Sequence, residues 1–150
     1  MSDTTHLGGI PSIDLTDEIR SVVNGALSAG HPVAVAYVDQ TGKPHLSMRG
    51  TVQVFGADQL ALWNRGPGLP DSVALNPQIA LLYLDLEART HLRFNGRARV
   101  ETDPTIRDHI FEGSPKGEQA QDPNRRGIAI IIELDLVRGI TPTGVVSMAR

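Results

Sequence analysis

The chain has 150 residues and 16.2 kDa, with 14 basic and 17 acidic residues, a net charge of −3 and no cysteine. That size suits one domain, and the weakly acidic balance is wrong for a protein living on nucleic-acid phosphates or anionic lipid. The lack of cysteine removes disulfides, thiolate metal sites and cysteine nucleophiles, and suits a reducing cytoplasm. Apolar stretches such as Ile79 to Leu84 are far too short to span a bilayer, so neither membrane nor nucleic acid is an expected partner.

Met1 to Ser12 is polar and glycine-containing and reads as a flexible N-terminal arm, leaving residues 13–150 as one domain. Thr16 is a good N-cap, with Asp17 and Glu18 in the first turn. Ile19, Val22, Val23, Ala26 and Leu27 then recur at helical spacing as far as Gly30. Val33 to Val38 is a β-type run, and Asp39 to Lys43 supplies the turn of a hairpin. His45 to Val54 alternates as one strand, with Leu46, Met48, Val52 and Val54 on a core face and His45, Ser47, Arg49, Thr51 and Gln53 on a polar one.

Gln59 to Asn64 is a further short strand. The two prolines and two glycines of Arg65-Gly-Pro-Gly-Leu-Pro70 make an irregular loop, and Asp71 can cap a short helix that ends before Pro77. Ile79 to Leu84, apolar on both faces, has the pattern of a central strand. His91 to Val100 alternates again, its polar face carrying His91, Arg93, Asn95, Arg97 and Arg99. Asp103-Pro104 opens a helix to about Glu112, Pro115 to Asp122 is a second short helical or irregular piece, and Gly127 to Val137 is a long β-branched strand. This order predicts a mostly-β antiparallel barrel with peripheral helices rather than a βαβ nucleotide fold.

Arg49, Arg65, Arg93, Arg97 and Arg99 concentrate positive potential on the polar strand faces, which suits an anionic ligand; solvated outer faces of an antiparallel sheet are the simpler account of them. The loop Asn64-Arg-Gly-Pro-Gly-Leu-Pro-Asp-Ser72 is either a phosphate cradle at a helix start or a rigid turn. Trp63, the single tryptophan, stands beside it, to stack on a flat ring or to fill a core or a dimer interface. The histidines at 6, 31, 45, 91 and 109 show no metal-ligand spacing, so no metal site is expected, and no residue is marked as catalytic.

Gly42-Lys-Pro-His-Leu-Ser-Met-Arg49, Leu60-Ala-Leu-Trp-Asn-Arg65, Leu75-Asn-Pro-Gln-Ile-Ala-Leu-Leu-Tyr83 and Arg93-Phe-Asn-Gly-Arg-Ala-Arg-Val100 together resemble the pyridoxamine 5′-phosphate oxidase-like superfamily of FMN/F420-binding split barrels. The resemblance covers most of residues 30 to 137. It implies a six- to seven-stranded antiparallel split β-barrel with short flanking helices, and a homodimer with FMN or the deazaflavin F420 at the subunit interface. It also implies hydride transfer with a small organic substrate.

Carried over position by position, Ser47, Met48 and Arg49 line the flavin, Leu62 and Trp63 meet it from the next strand, and His91 reaches it from a neighbouring one. Asn64, Arg65, Gly66, Gly68 and Leu69 belong to the phosphate-side loop. The sequence departs from the family pattern near Val52 and at Gly68 and Leu69, where basic residues are expected. Phosphate recognition then falls to Arg65, Arg49, backbone N–H groups or a partner's arginines. The tail from Gly139 to Arg150 lacks a basic ending, so vitamin B6 oxidation is not expected. The alternatives are a non-catalytic cofactor- or haem-binding barrel and a cofactor-free small-ligand binder.

Overall fold

A computed structural model describes residues 9–150, so most of the expected arm lies outside the described residues. Thr16 caps helix α1 (Asp17–Asn24) by accepting from the Ile19 N–H at 3.3 Å. The helix buries Ile19 and Val23 and stops at Gly25, earlier than the apolar spacing to Gly30 implies; a turn then leads to the sheet. The strands follow as β1 (Val33–Val38), β2 (Pro44–Arg49), β3 (Gln53–Gly56) and β4 (Gln59–Asn64). Helix α2 (Leu69–Leu75) precedes β5 (Gln78–Asp85) and β6 (Thr90–Glu101). Helices α3 (Pro104–Glu112) and α4 (Lys116–Ala120) lead to β7 (Ile128–Thr141) and β8 (Gly144–Ala149).

All pairings are antiparallel, in the order β2-β1-β5-β6-β7-β4-β3, with β8 added along the second half of β7. The two end strands, β2 and β3, are consecutive in the chain and separated only by Gly50 to Val52. So short a connection between opposite ends forces the sheet to curl on itself, which gives a barrel with a split between β2 and β3. Inside it Val35, Leu60, Leu62, Leu92, Phe94, Ile130 and Ile132 are fully buried. A second cluster lies outside the wall, where Ala61, Trp63, Ala129 and Ile131 are covered by Ile110 and Phe111 of α3. β4 and β7 are therefore buried on both faces, which explains their near-continuous apolar sequence.

The expected single strand from His45 to Val54 is two strands on opposite ends of the sheet, and the break falls at Gly50. Val52 and Val54 are core residues as expected, but Leu46 and Met48 are 75% and 59% exposed on the outer face. The inner side of β2 carries His45, Ser47 and Arg49, in register with Tyr37, Val35 and Val33 of β1.

β5 is central as expected, yet only Ile79, Leu81 and Tyr83 are buried; Leu82 and Leu84 are 42% and 45% exposed beside the outer face of β1. Helix α2 starts after Gly68 rather than at Asp71, because a positive φ of 98° at Gly68 turns the chain into the helix. The described residues hold eight strands, one more than the upper expectation, because the tail folds back as β8. The helix start at Asp103-Pro104, the α3 span and the β1–β2 hairpin agree with the sequence reading, and Asp103 also caps the helix.

Candidate functional site at the barrel split

Curling of the sheet brings the end of β2 beside the end of β4. There Thr51 locks the junction: its Oγ1 donates to the Trp63 carbonyl at 2.8 Å and accepts from the Trp63 N–H at 3.1 Å. Arg49 leaves β2 just before this lock. Its guanidinium donates to Asn64 Oδ1, and its Nε donates to Ser47 Oγ at 2.9 Å. Burial holds the Arg49 value below that of an ordinary arginine, although a guanidinium stays charged at any physiological pH. Asn64 in turn donates to the Gly66 carbonyl at 2.6 Å, fixing the loop after β4.

Met48, Arg49, Gly50, Thr51, Trp63, Arg65, Gly66 and the Glu118 carboxylate of α4 line one cavity of about 320 Å³. Arg65 lies 3.7 Å from Glu118. Both side chains are partly exposed, so the pair contributes only about 0–1 kcal/mol, and an incoming anion can displace Glu118 at little cost. The cavity thus offers two guanidinium groups, one braced by Asn64 and one held loosely.

Of the residues the sequence nominates, Met48, Arg49, Trp63, Arg65 and Gly66 line this cavity, with Ser47 and Asn64 bonded to Arg49 behind it. Leu62 and Leu69 are fully buried and offer no side chain to a ligand. Gly68 lies under the Tyr37 hydroxyl at the start of α2. His91 is elsewhere: with Leu82, Arg93, Arg138 and Gly139 it lines a different cavity on the outer face of the sheet.

Trp63 is 4% exposed and already committed. Its Nε1 donates to Asp122 Oδ2 at 2.9 Å, Phe111 meets it edge-on at 5.1 Å, and Arg107 sits over its ring at 4.9 Å. The indole forms a wall of the cavity, with no open face on which a flat ligand would stack. Burial alone would raise Asp122, but the N–H groups of Arg126, Trp63 and Gly127 together hold it below the ordinary carboxylate value.

The sequence reading missed one residue that lines this cavity, Glu118, and one ion pair away from it, His45 with Asp39. Glu118 sits in a segment read only as helical or irregular. His45 pairs with Asp39 at 2.8 Å across the hairpin and stacks on Tyr37 at 5.0 Å. Hydrogen bonds from His45, Thr41 and Lys43 hold Asp39 far below the usual carboxylate range. A hairpin register drawn from the Asp39–Lys43 turn would have exposed that pair. Among the described residues no group of three or more His, Asp or Glu side chains is placed to hold a metal, and no helix is long and apolar enough to cross a membrane.

No family model and no curated protein sequence matches the chain. Solved structures do. HupZ of Group A Streptococcus superposes with a TM-score of 0.67 at 18% identity, over 87% of this chain and 96% of that one. A Clostridium acetobutylicum protein related to general stress protein 26, of the pyridoxinephosphate oxidase family, gives 0.62 at 15%, over 84% and 90%. An FMN-binding protein from Syntrophomonas wolfei gives 0.60 at 8%, over 83% and 87%. At these identities the likeness is one of fold, and the fold is the split barrel of pyridoxamine 5′-phosphate oxidase-like and FMN-binding proteins, carried by a divergent sequence.

Proposed function

We propose that the chain is a homodimeric oxidoreductase that holds FMN or the deazaflavin F420 at the barrel split and transfers hydride to or from a small organic molecule. The carrying observation is the convergence of Arg49 and Arg65 on one cavity beside Met48 and Gly66. Two guanidinium groups with a cleft between them suit a phosphate, and Arg49 is already oriented by Ser47 and Asn64. These donors stand in for the basic residues absent near Val52 and at Gly68 and Leu69. Glu118 is the group a phosphate displaces.

Met48 joins this cavity to the outer face, where the rows Met48–Ala34–Leu82 and Leu46–Ala36–Ala80 lie side by side across β2, β1 and β5. An uncovered apolar surface of this kind is the usual mark of an interaction face, and a second copy would both bury it and roof the cavity. Neutral, apolar walls there suit a flat ring. A flavin or deazaflavin supplies the hydride chemistry when bound, so the protein's own task is to bind, orient and exclude water. That is consistent with a cavity without a paired acid and base.

The test is reoxidation of reduced FMN or F420 by a panel of small organic acceptors. Acceleration by the protein over free cofactor supports the reading. Binding with no acceleration by any acceptor would leave a cofactor carrier, and no binding would leave the small-ligand binder.

A further inference from the structure

β6 and β7 place Arg93 and Arg138 directly opposite each other, on the same outward face. Cross-strand neighbours of like charge repel, because their Cβ atoms stand only about 4.5–5.5 Å apart. Elsewhere on the same ladder the chain neutralises its arginines. Arg97 is held by Asp135 at 3.1 Å, and Arg99 by Glu101 at 3.0 Å and Glu133 at 3.7 Å. Among the described residues no carboxylate pairs with Arg93 or Arg138.

The two line a cavity of about 320 Å³ together with His91, Leu82 and Gly139. His91 is two residues before Arg93 on the same face of β6, and Leu82 is the register partner of Arg93 on β5. Gly139 keeps the strands close at this point. It has φ 156°, and a Cβ there would run into the His91 carbonyl, so any other residue would push β7 away and part the two arginines.

We infer that Arg93 and Arg138 form an oxyanion subsite, a carboxylate or a phosphate bridging the two guanidinium groups, with His91 as a third polar neighbour and Leu82 under the apolar body of the ligand. The ligand class is a small organic anion with an apolar portion. An anion there offsets like charge on adjacent strands, and two guanidinium groups that line one cavity can both donate N–H groups to one oxyanion. Within one subunit the two cavities share no lining residue, and Leu82 places this subsite at the rim of the face that the proposed second copy covers.

The experiment is a titration of the full chain with inorganic phosphate, and separately with succinate, against chloride at equal ionic strength. It is followed through the arginine Nε–H NMR resonances, assigned with Arg93→Lys and Arg138→Lys. The expected result is a saturable shift of both the Arg93 and Arg138 resonances, with half-saturation at least tenfold below that of chloride. A response to phosphate alone identifies a phosphate site, and a response to succinate alone a carboxylate site. The double variant R93Q/R138Q is expected to lose the response while keeping the wild-type fold, since both side chains are exposed. Responses indistinguishable from chloride would overturn the inference. So would saturable shifts confined to Arg49 and Arg65, which would instead support the site at the split.

Discussion

β5 and β6 alternate in the same way, but their two faces have opposite characters. Inward, Leu81, Leu92 and Phe94 are sealed in the barrel core. Outward, Leu82 and Leu84 stay open to solvent beside Arg93 and Arg138, which have no carboxylate partner among the described residues. The inner face carries the stability of the fold; the outer face leaves apolar area and charge exposed. Apolar alternation alone therefore identifies a face that is to be buried, without saying whether by the chain's own core or by another molecule.

The largest test of that contrast is a pair of truncations. Phe94→Ala is expected to cost about 3–5 kcal/mol in denaturant unfolding, while Leu82→Ala should cost less than about 1 kcal/mol in the separated subunit. Equal losses would mean that the outer face is as much core as the inner one. On the outer face, Leu46→Glu and Met48→Glu are expected to shift sedimentation from dimer to monomer without loss of secondary structure. A wild-type monomer at micromolar concentration would remove the second copy from the account.

At the split, Arg65→Ala should weaken FMN or F420 binding by about 1–3 kcal/mol, whereas Glu118→Gln should strengthen it a few-fold by removing the competing carboxylate. Asp122 sits behind this cavity with its carboxylate held below the ordinary value. Its hydrogen bonds contribute stability that is present above the unfolded-state pKa, about 3.9, and that is lost as pH falls through the lower folded value. Asp122→Asn should therefore lower the melting temperature at pH 7 and flatten the acid limb of the stability profile. The smallest effect belongs to Arg97→Gln: its partner Asp135 and its own guanidinium are both about one-third exposed, so the loss should stay within about 0–1 kcal/mol.

Much of the architecture was legible in the sequence because it rests on local chemistry. The Thr16 cap, the Asp103-Pro104 helix start, the Asp39–Lys43 turn and the alternation of His91 to Val100 each specify their element without help from distant residues. The failures have separate physical sources. Leu46 and Met48 look like core residues but face outward, so the parity that joined them to Val52 and Val54 hid the break at Gly50. β8 escaped notice because Pro142 and Gly144 were not read as a turn between two strands. At the site, Arg49 and Arg65 were nominated by their charge and Met48 and Gly66 by the family resemblance, and the four line one cavity. Arg138 and Glu118 were not, because only the β6–β7 register and the packing of α4 bring them to their cavities.

The central claim is that Arg49 and Arg65 hold the phosphate of a flavin or deazaflavin at the barrel split. Its most direct measurement is equilibrium titration of the purified protein with FMN and with F420, followed by fluorescence of Trp63, which walls that cavity. Saturable quenching at micromolar or lower concentration by one of the two, weakened about 5- to 150-fold in Arg65→Ala, is the predicted result. Absence of saturable binding by either cofactor, or binding that Arg65→Ala leaves unchanged, would contradict it.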